Sequence, residues 1–109
     1  MPGLRTGITD MLGALPKTSF AENLNSLFRL VLQDSTVVDL ELIEVKDGRT
    51  TPRQEQFSLF FRGPLEPFLG QGLFRLEHDR LESGDLFLVP VERLDTGFIY
   101  QAVFNRTLA

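Results

Sequence analysis

Apolar and polar residues alternate with a period of two along most of this chain, from Ser26 to Asn105. This period places every second side chain on one face of an extended strand, and it differs from the 3.6-residue period of a helix. The alternating runs are short and are separated by turn-forming residues. The chain is therefore predicted to fold into short antiparallel strands.

Six alternating runs are present, and the predicted strands cover residues 26–32, 36–46, 55–62, 72–78, 85–93 and 98–105. In the second run, Leu42 and Ile43 stand side by side and the phase shifts after them, which predicts a β-bulge. The pair Gly63-Pro64 is predicted to end the third strand. The last two strands are predicted to form a hairpin.

A length of 109 residues with 42% hydrophobic residues corresponds to one domain with a single core. Six strands with glycines at the corners and a bulge favour a small antiparallel β-barrel, since closure removes exposed strand edges. A two-sheet sandwich has the same strand count and alternation and stays open as the alternative. We expect a single β-barrel domain over residues 18–109 and an N-terminal arm over residues 1–17.

The segment before the first strand has helical signals. Ser19 and Glu22 have the spacing of a capping box, which predicts a short helix from Phe20 to Leu24. Phe20 and Leu24 would then plug one mouth of the barrel. In one account, the N-terminal helix and the long loop from Pro64 to Gln71 lie over an apolar outer face of the sheet. In the other account, that face is a subunit interface.

The arm carries one apolar stripe at helical spacing, formed by Ile8, Met11, Leu12 and Leu15. Pro16 ends this stripe, and so short a helix is not stable in water by itself. Order in the arm therefore requires docking, either onto its own barrel or onto a neighbouring subunit.

Composition excludes several classes of function. The formal net charge of -4 argues against nucleic acid as a partner, because phosphate binding needs clustered basic residues. The absence of cysteine excludes a disulfide framework and a thiol nucleophile. No apolar run is long enough for a membrane helix, and no signal peptide is evident. The expected location is cytoplasmic by default, or exported together with an assembly.

Four sequence blocks carry a family resemblance: FSLFFRGP at residues 57–64, QGLFRLEH at 71–78, LFLVPV at 86–91 and YQAVFN at 100–105. Together they resemble a family of small bacterial domains, the domain-of-unknown-function family 6916, over Phe20 to Asn105. The resemblance implies a compact all-β domain without an assigned reaction. It also implies a role in an extracellular or tail-like assembly, and it supplies no active site to transfer.

His78 is the only histidine, so Ser-His-Asp catalysis would have to use it, with a nucleophile chosen from Ser35, Ser58 and Ser83. No Gly-x-Ser-x-Gly motif supports such a role, and we interpret His78 as structural. Two acidic groups have oxygen ligands suitable for calcium but lack EF-hand spacing: Asp39, Glu41 and Glu44, and Glu77, Asp79, Glu82 and Asp85. No catalytic residue, metal site or cofactor is predicted.

Three strands have apolar residues on both faces, which is more apolar surface than one barrel interior can cover. We therefore expect a protein interface, either in a homo-oligomer or with another protein. The candidate interface residues are Ile8, Met11, Leu12, Leu15, Phe60, Leu86, Leu88, Ile99 and Val103.

The predicted function is a non-enzymatic structural or protein-interaction subunit of a bacterial multi-chain assembly, tail-fibre-like or extracellular. The alternative is a small ligand-binding barrel that holds an apolar or saccharide ligand at its mouth near His78 and Tyr100. A hydrolase that uses His78 is the third reading.

Overall fold

The computed structural model describes residues 11–107, so Ile8 of the predicted arm lies outside the described residues. The elements are a 3₁₀ helix Leu12–Ala14, helix α1 Lys17–Ala21, and strands β1 Leu27–Val31, β2 Val37–Asp47, β3 Gln54–Pro64, β4 Gly72–Glu77, β5 Gly84–Arg93 and β6 Gly97–Thr107. Each predicted strand is present, with its ends within two residues of the prediction.

The six strands form a closed barrel in the order β1-β2-β3-β6-β5-β4. All neighbouring strands are antiparallel, and the ring closes where β1 pairs with β4 over residues 29–31 and 75–77. The longest ladder joins β3 and β6, from Gln54↔Thr107 to Pro64↔Gly97. The prediction of a barrel rather than a sandwich is confirmed, as is the hairpin of the last two strands.

Two irregularities bend the barrel wall. The register between β2 and β3 shifts between Leu42 and Glu44, which confirms the predicted bulge. Strand β5 changes partner along its length, because residues 84–88 pair with β4 and residues 89–93 pair with β6. Its register against β6 shifts between Pro90 and Glu92. Such bulges increase local twist and allow a short sheet to close on itself.

Strand β3 ends at Pro64, so the pair Gly63-Pro64 does end it. Both residues are themselves part of the strand and pair with Phe98 and Gly97, two residues beyond the predicted end at residue 62. A Cβ atom at position 63 would lie 2.6 Å from Leu40 Cδ2, so any larger residue there would require the buried Leu40 side chain to move. Proline is tolerated at position 64 because the β2–β3 ladder has already ended at Arg62, so no neighbour on that side needs its N–H.

The barrel interior is filled by inward-facing side chains, and the fully buried ones include Phe28, Leu30, Leu40, Leu42, Phe57, Leu59, Phe61, Leu76, Leu88 and Tyr100. At one end, Phe20 of α1 is fully buried, with its ring centroid 6.3 Å from Phe57 and 5.5 Å from Phe104. Leu24 remains exposed and does not share in this plug.

The predicted capping box is wrong. Helix α1 begins at Lys17 with Pro16 at the N-cap, and no side chain caps it. Ser19 therefore lies inside the helix, where its carbonyl oxygen accepts a hydrogen bond from Asn23 Nδ2 at 2.7 Å. The fixed φ of Pro16 suits the entry into a helix, although its ring offers no side-chain acceptor for the first free N–H groups.

The loop from Pro64 to Gln71 packs against residues of the interior, not over the outer face. Phe68 contacts Phe98 with ring centroids 4.7 Å apart, and Leu69 N donates to Tyr100 Oη at 3.1 Å. Leu69 also packs against the core cluster. The account in which this loop covers the outer face is therefore wrong.

The described part of the arm docks onto its own barrel. Leu12 is fully buried, and its N–H donates to Ser83 O at 3.1 Å just before β5. Arg106 on β6 donates to Gly13 O at 3.0 Å, which holds the same turn from the other side. Leu15 packs against the core, while Met11 stays exposed.

Candidate functional site

The most polar group of interior side chains surrounds His78, directly after β4. Its ring packs against Phe28 with centroids 4.4 Å apart and the ring planes tilted by 48°, and its Nε2 lies 2.7 Å from Ser26 Oγ. The other ring nitrogen, Nδ1, accepts a hydrogen bond from the Arg80 N–H at 3.0 Å. His78 is thus bonded at both nitrogens and buried on one face.

These partners determine the tautomer of His78. Because Nδ1 accepts from Arg80 N–H, it carries no proton, so the proton of the neutral ring is on Nε2. Nε2 then donates to Ser26 Oγ, and the Ser26 hydroxyl donates in turn to the carbonyl oxygen of Asn23. A single chain of donors therefore runs from His78 to the turn before β1.

Asn23 joins the same network through its side chain. Its Oδ1 accepts from Arg80 Nε at 2.8 Å, and its Nδ2 donates to the carbonyl oxygen of Ser19 in α1. Helix α1, the turn before β1 and the loop after β4 are tied together by these bonds. Networks of this kind, with every polar atom bonded, fix the relative position of the elements they join.

The environment of His78 lowers its pKa below the ordinary value of 6.5. Burial is the largest cause, because desolvation disfavours the charged ring, and the cation of Arg80 acts in the same direction. The Asp79 carboxylate opposes this shift, and Arg29 adds to it slightly. The neutral, singly protonated ring is therefore the form that suits the fold.

The His78–Ser26 pair has the geometry of a structural bond and lacks the features of a catalytic dyad. In a dyad the serine gives its proton to the histidine, whereas here the Ser26 proton is directed to the Asn23 carbonyl. The position that an orienting carboxylate would occupy at Nδ1 is taken by the Arg80 N–H.

The three serines considered from the sequence do not contact His78. Ser58 Oγ accepts from Gln101, Ser83 Oγ accepts from Arg75, and Ser35 lies in the β1–β2 turn. The serine that does contact it, Ser26, was missed, because it is 52 residues away in sequence and no local motif marks it.

Tyr100 and His78 do not form an open ligand site at the barrel mouth. Tyr100 has no exposed surface, and its hydroxyl oxygen accepts from Leu69 N. A cleft of about 370 Å³ does open beside His78, but Tyr100 is not among the residues that line it. The packed interior therefore does not support the predicted ligand position.

The acidic groups considered for calcium are distributed over the surface. Glu41 accepts from Arg62 at 2.7 Å, and Asp79 accepts from Arg29 at 2.9 Å. Within residues 11–107, no three side chains of His, Asp or Glu come together as a possible metal site. In the same range, no helix is long and apolar enough to cross a membrane.

The candidate interface residues divide between the two faces of the wall. Leu86 and Leu88 point into the core, with Leu88 fully buried, so the prediction that they face outward is wrong. The outward apolar residues of β5 include Phe87, at 50% exposure. Alternation defines two faces but does not say which one is inside, and both faces of β5 are apolar.

Phe60, Ile99 and Val103 do lie on the outer wall, as the sequence predicts. Val103 is 63% exposed, Phe60 is half-buried, and Ile99 is only 7% exposed although it faces outward. Phe60 and Ile99 belong to a cleft of about 460 Å³ that we call the outer cleft. Its apolar lining consists of Ile43, Phe60, Val91, Leu94 and Ile99.

The outer cleft lies between the two irregularities of the barrel wall. Ile43 stands at the bulge of β2, and Val91 stands at the register shift of β5. Glu44, Lys46 and Glu92 form its charged lining. Ile43, Val91 and Leu94 were missed as interface candidates, although the pair Leu42-Ile43 already marked the bulge.

Fold and side chains together define a small closed antiparallel β-barrel with a packed interior and an apolar cleft on its outer wall. The chain belongs to the family described as Domain of unknown function (DUF6916), which it matches over residues 15–104. Comparisons with curated proteins and with solved structures find no match.

Proposed function

We propose that this domain is a non-enzymatic structural or protein-interaction subunit of a bacterial multi-chain assembly, tail-fibre-like or extracellular, and that the outer cleft is its main contact surface. The observation that carries this proposal is the apolar lining of the cleft by Ile43, Phe60, Val91, Leu94 and Ile99. Apolar concavities on an outer wall are typical of sites that another chain covers.

The N-terminal segment and the loop from Pro64 to Gln71, which could cover this surface from within the chain, lie elsewhere. The 3₁₀ helix contacts the start of β5 through Leu12 and Gly13, and the loop at Leu69 bonds Tyr100. Neither element lines the outer cleft. Val91 is left 46% exposed at the centre of this apolar surface.

Covering the cleft would contribute to holding two chains together. Burial of one aliphatic or aromatic side chain contributes roughly 1.5 to 3 kcal/mol before the entropy of association is subtracted. A covering chain would further bury Val91 and the half-buried Phe60, Ile43 and Leu94. Glu44, Lys46 and Glu92 around them supply the polar rim that protein interfaces usually have.

The polar interior supports a non-enzymatic role. The one histidine is neutral, bonded at both nitrogens and packed on Phe28. Its function in the fold is to join the turn at Ser26 to the loop at Arg80. A group held in this way stabilises the barrel and has no free nitrogen with which to act on a substrate.

The test is the molar mass of the full chain by gel filtration with light scattering, for the wild type and for Phe60→Ser combined with Val91→Thr. The proposal predicts an oligomer or a complex with a native partner for the wild type. It predicts a monomer for the double variant, with unchanged far-ultraviolet circular dichroism.

A matched control is Leu73→Ser, which removes an exposed apolar side chain at 64% exposure outside the outer cleft. This variant should retain the wild-type assembly. A wild type that stays monomeric at all concentrations and with its native partners would refute the proposal. So would equal loss of assembly in the control and in the double variant.

A further inference from the structure

The barrel wall is split at one end between β2 and β3. The ladder between these strands ends at Glu41↔Arg62, although β2 begins at Val37 and β3 continues to Pro64. Residues 37–40 of β2 pair only with β1, and Gly63 and Pro64 of β3 pair only with β6. A cleft of about 490 Å³ opens here, separate from the outer cleft, and we call it the seam cleft.

One bank of the seam cleft is a free strand edge. Leu32 N donates to Thr36 O and Leu42 N donates to Ser26 O, so the even-numbered residues along β2 direct their main-chain groups toward β1. In an antiparallel ladder this direction alternates from residue to residue. Val37 and Asp39 therefore direct N–H and C=O away from β1 and into the seam cleft.

The other bank does not pair with this edge. Pro64 has no N–H, and the β2–β3 ladder resumes only at Glu41. Free strand edges with intact donors and acceptors are the surfaces to which extended peptides add as an extra strand. The edge at Val37 and Asp39 offers two donors and two acceptors for such an addition.

The charge of the seam cleft is negative. Asp39 and Glu66 line it, both are exposed, and neither side chain has an ion pair or a hydrogen bond within residues 11–107. Glu41 is already neutralised by Arg62 at 2.7 Å. Arg29, which lies opposite Asp39 on β1, is bonded to Asp79. The two unpaired carboxylates favour a cationic partner.

The two faces of an added strand would meet different surroundings. On the outer side lie Asp39 and Glu66, and toward the interior lie Val38 and Gly63. Side chains of a strand alternate between such faces. We propose that the seam cleft binds an extended polypeptide segment in which Lys or Arg alternates with apolar residues, added as a strand along Val37–Asp39.

The test uses a fluorescein-labelled peptide of alternating lysine and valine, and its glutamate–valine counterpart, with the full-length protein. Fluorescence anisotropy should show binding of the lysine peptide that weakens with salt, and no binding of the glutamate peptide. The amide resonances of Val37 and Asp39 should shift on binding. Equal binding of both peptides, or shifts confined to other strands, would overturn the proposal.

Two variants separate the charge from the strand edge. Asp39→Lys should weaken peptide binding about tenfold, because it turns an attraction into a repulsion. The control is Glu82→Lys, an equal charge reversal at an exposed site outside the seam cleft, which should leave peptide affinity unchanged. Val37→Pro removes one of the two main-chain donors that face the seam cleft without removing a β1 hydrogen bond, and it should weaken binding about tenfold.

If Val37→Pro does not fold, Asp39→Lys alone decides the outcome, and unchanged peptide affinity in it would contradict the proposal. Self-association that Asp39→Lys abolishes, without any peptide binding, would assign the seam cleft to a second copy of this chain and also overturn it. Phe60→Ser tests a different surface and should leave peptide affinity unchanged. Failure here is thus distinguishable from failure of the proposed function.

Discussion

Phe60 on β3 and Val91 on β5 line the same cleft, although β6 lies between their strands in the barrel. The two residues meet a common space because the register shifts of β2 and β5 flank it. The outer cleft is therefore a product of barrel curvature as well as of apolar sequence. Bulges at such positions direct side chains that a regular strand would place elsewhere.

Leu12 anchors the arm to its own barrel, and Leu12→Ala should reveal this in the free energy of unfolding. Leu12 is fully buried and belongs to the core cluster, so truncation should cost about 3 kcal/mol through lost burial and a residual cavity. Urea unfolding followed by circular dichroism measures the change.

The control is Met11→Ala, next to it but exposed, which should change the free energy of unfolding by less than about 0.5 kcal/mol. Equal effects at the two positions would contradict docking of this turn onto the barrel.

Arg106 stabilises the aromatic end of the barrel and should not be replaceable by lysine. Its guanidinium lies 5.1 Å from the Phe57 ring centroid and 5.0 Å from that of Phe104, and it donates to Gly13 O. A planar guanidinium can stack and donate at once, whereas an ammonium cannot reproduce both contacts.

Arg106→Lys should therefore lower the free energy of unfolding by about 1 to 2 kcal/mol. It should also increase hydrogen exchange at the Leu12 amide, which bonds Ser83 O beside the turn that Arg106 holds. Arg53→Lys, in the exposed β2–β3 loop, is the control and should alter neither quantity. Unchanged exchange at Leu12 in Arg106→Lys would contradict this role.

Much of the architecture was predictable because alternation is a local property. Each strand and the bulge at Leu42 and Ile43 follow from the spacing of apolar side chains, and a bulged set of short strands favours closure. The exact strand order is different in kind, because it depends on contacts between residues far apart in sequence. Only the structure shows that β1 closes the ring against β4.

The errors have specific physical causes. Gly63-Pro64 does end β3, but two residues later than predicted, because both residues still pair with β6 while the β2–β3 ladder has already ended at Arg62. Leu86 and Leu88 were assigned to the outer face because β5 is apolar on both sides, and alternation alone cannot orient it. The Ser26–His78 bond depends on tertiary proximity and has no sequence signal.

Gly97 should be far less tolerant of a side chain than Gly72, although both begin strands. A Cβ on Gly97 would lie 2.1 Å from the carbonyl oxygen of Gly63, a main-chain atom held in the β3–β6 ladder. At Gly72 the nearest atoms would be those of the Phe74 ring, at 3.6 Å.

Gly97→Ala is therefore expected to cost about 3 kcal/mol of unfolding free energy, since the backbone must move, and Gly72→Ala less than about 1 kcal/mol. Thermal and urea unfolding of the two variants provide the comparison. Similar free energies of unfolding for both variants would show that the backbone at Gly97 does not lie too close to Gly63 for a side chain.

His78 should make the stability depend on pH below neutrality. The fold lowers its pKa from 6.5. At any pH between the folded pKa and 6.5, the unfolded chain therefore binds more protons than the folded one, and the free energy of unfolding rises with pH. The contribution is fully present above pH 6.5 and is lost as the pH falls toward the folded pKa. Protonation of Nδ1 also breaks the bond from the Arg80 N–H.

The urea midpoint, measured from pH 7 down to about pH 5, should therefore fall for the wild type and stay nearly level for His78→Gln. Asp34 does not interfere, because its own pKa is lowered from 3.8 by the Thr36 hydrogen bonds and it acts only in stronger acid. A slope that is the same in both proteins would exclude His78 as its source.

The claim that another chain covers the outer cleft can be tested by the accessibility of its methyl groups to a soluble paramagnetic agent. In the assembled full-length protein, relaxation enhancement at Val91 and Leu94 should be strongly reduced compared with the dissociated protein, while Leu73, outside the cleft, should be equally accessible in both. Methyl groups of Val91 and Leu94 that remain as accessible in the assembly as in the monomer would contradict the account.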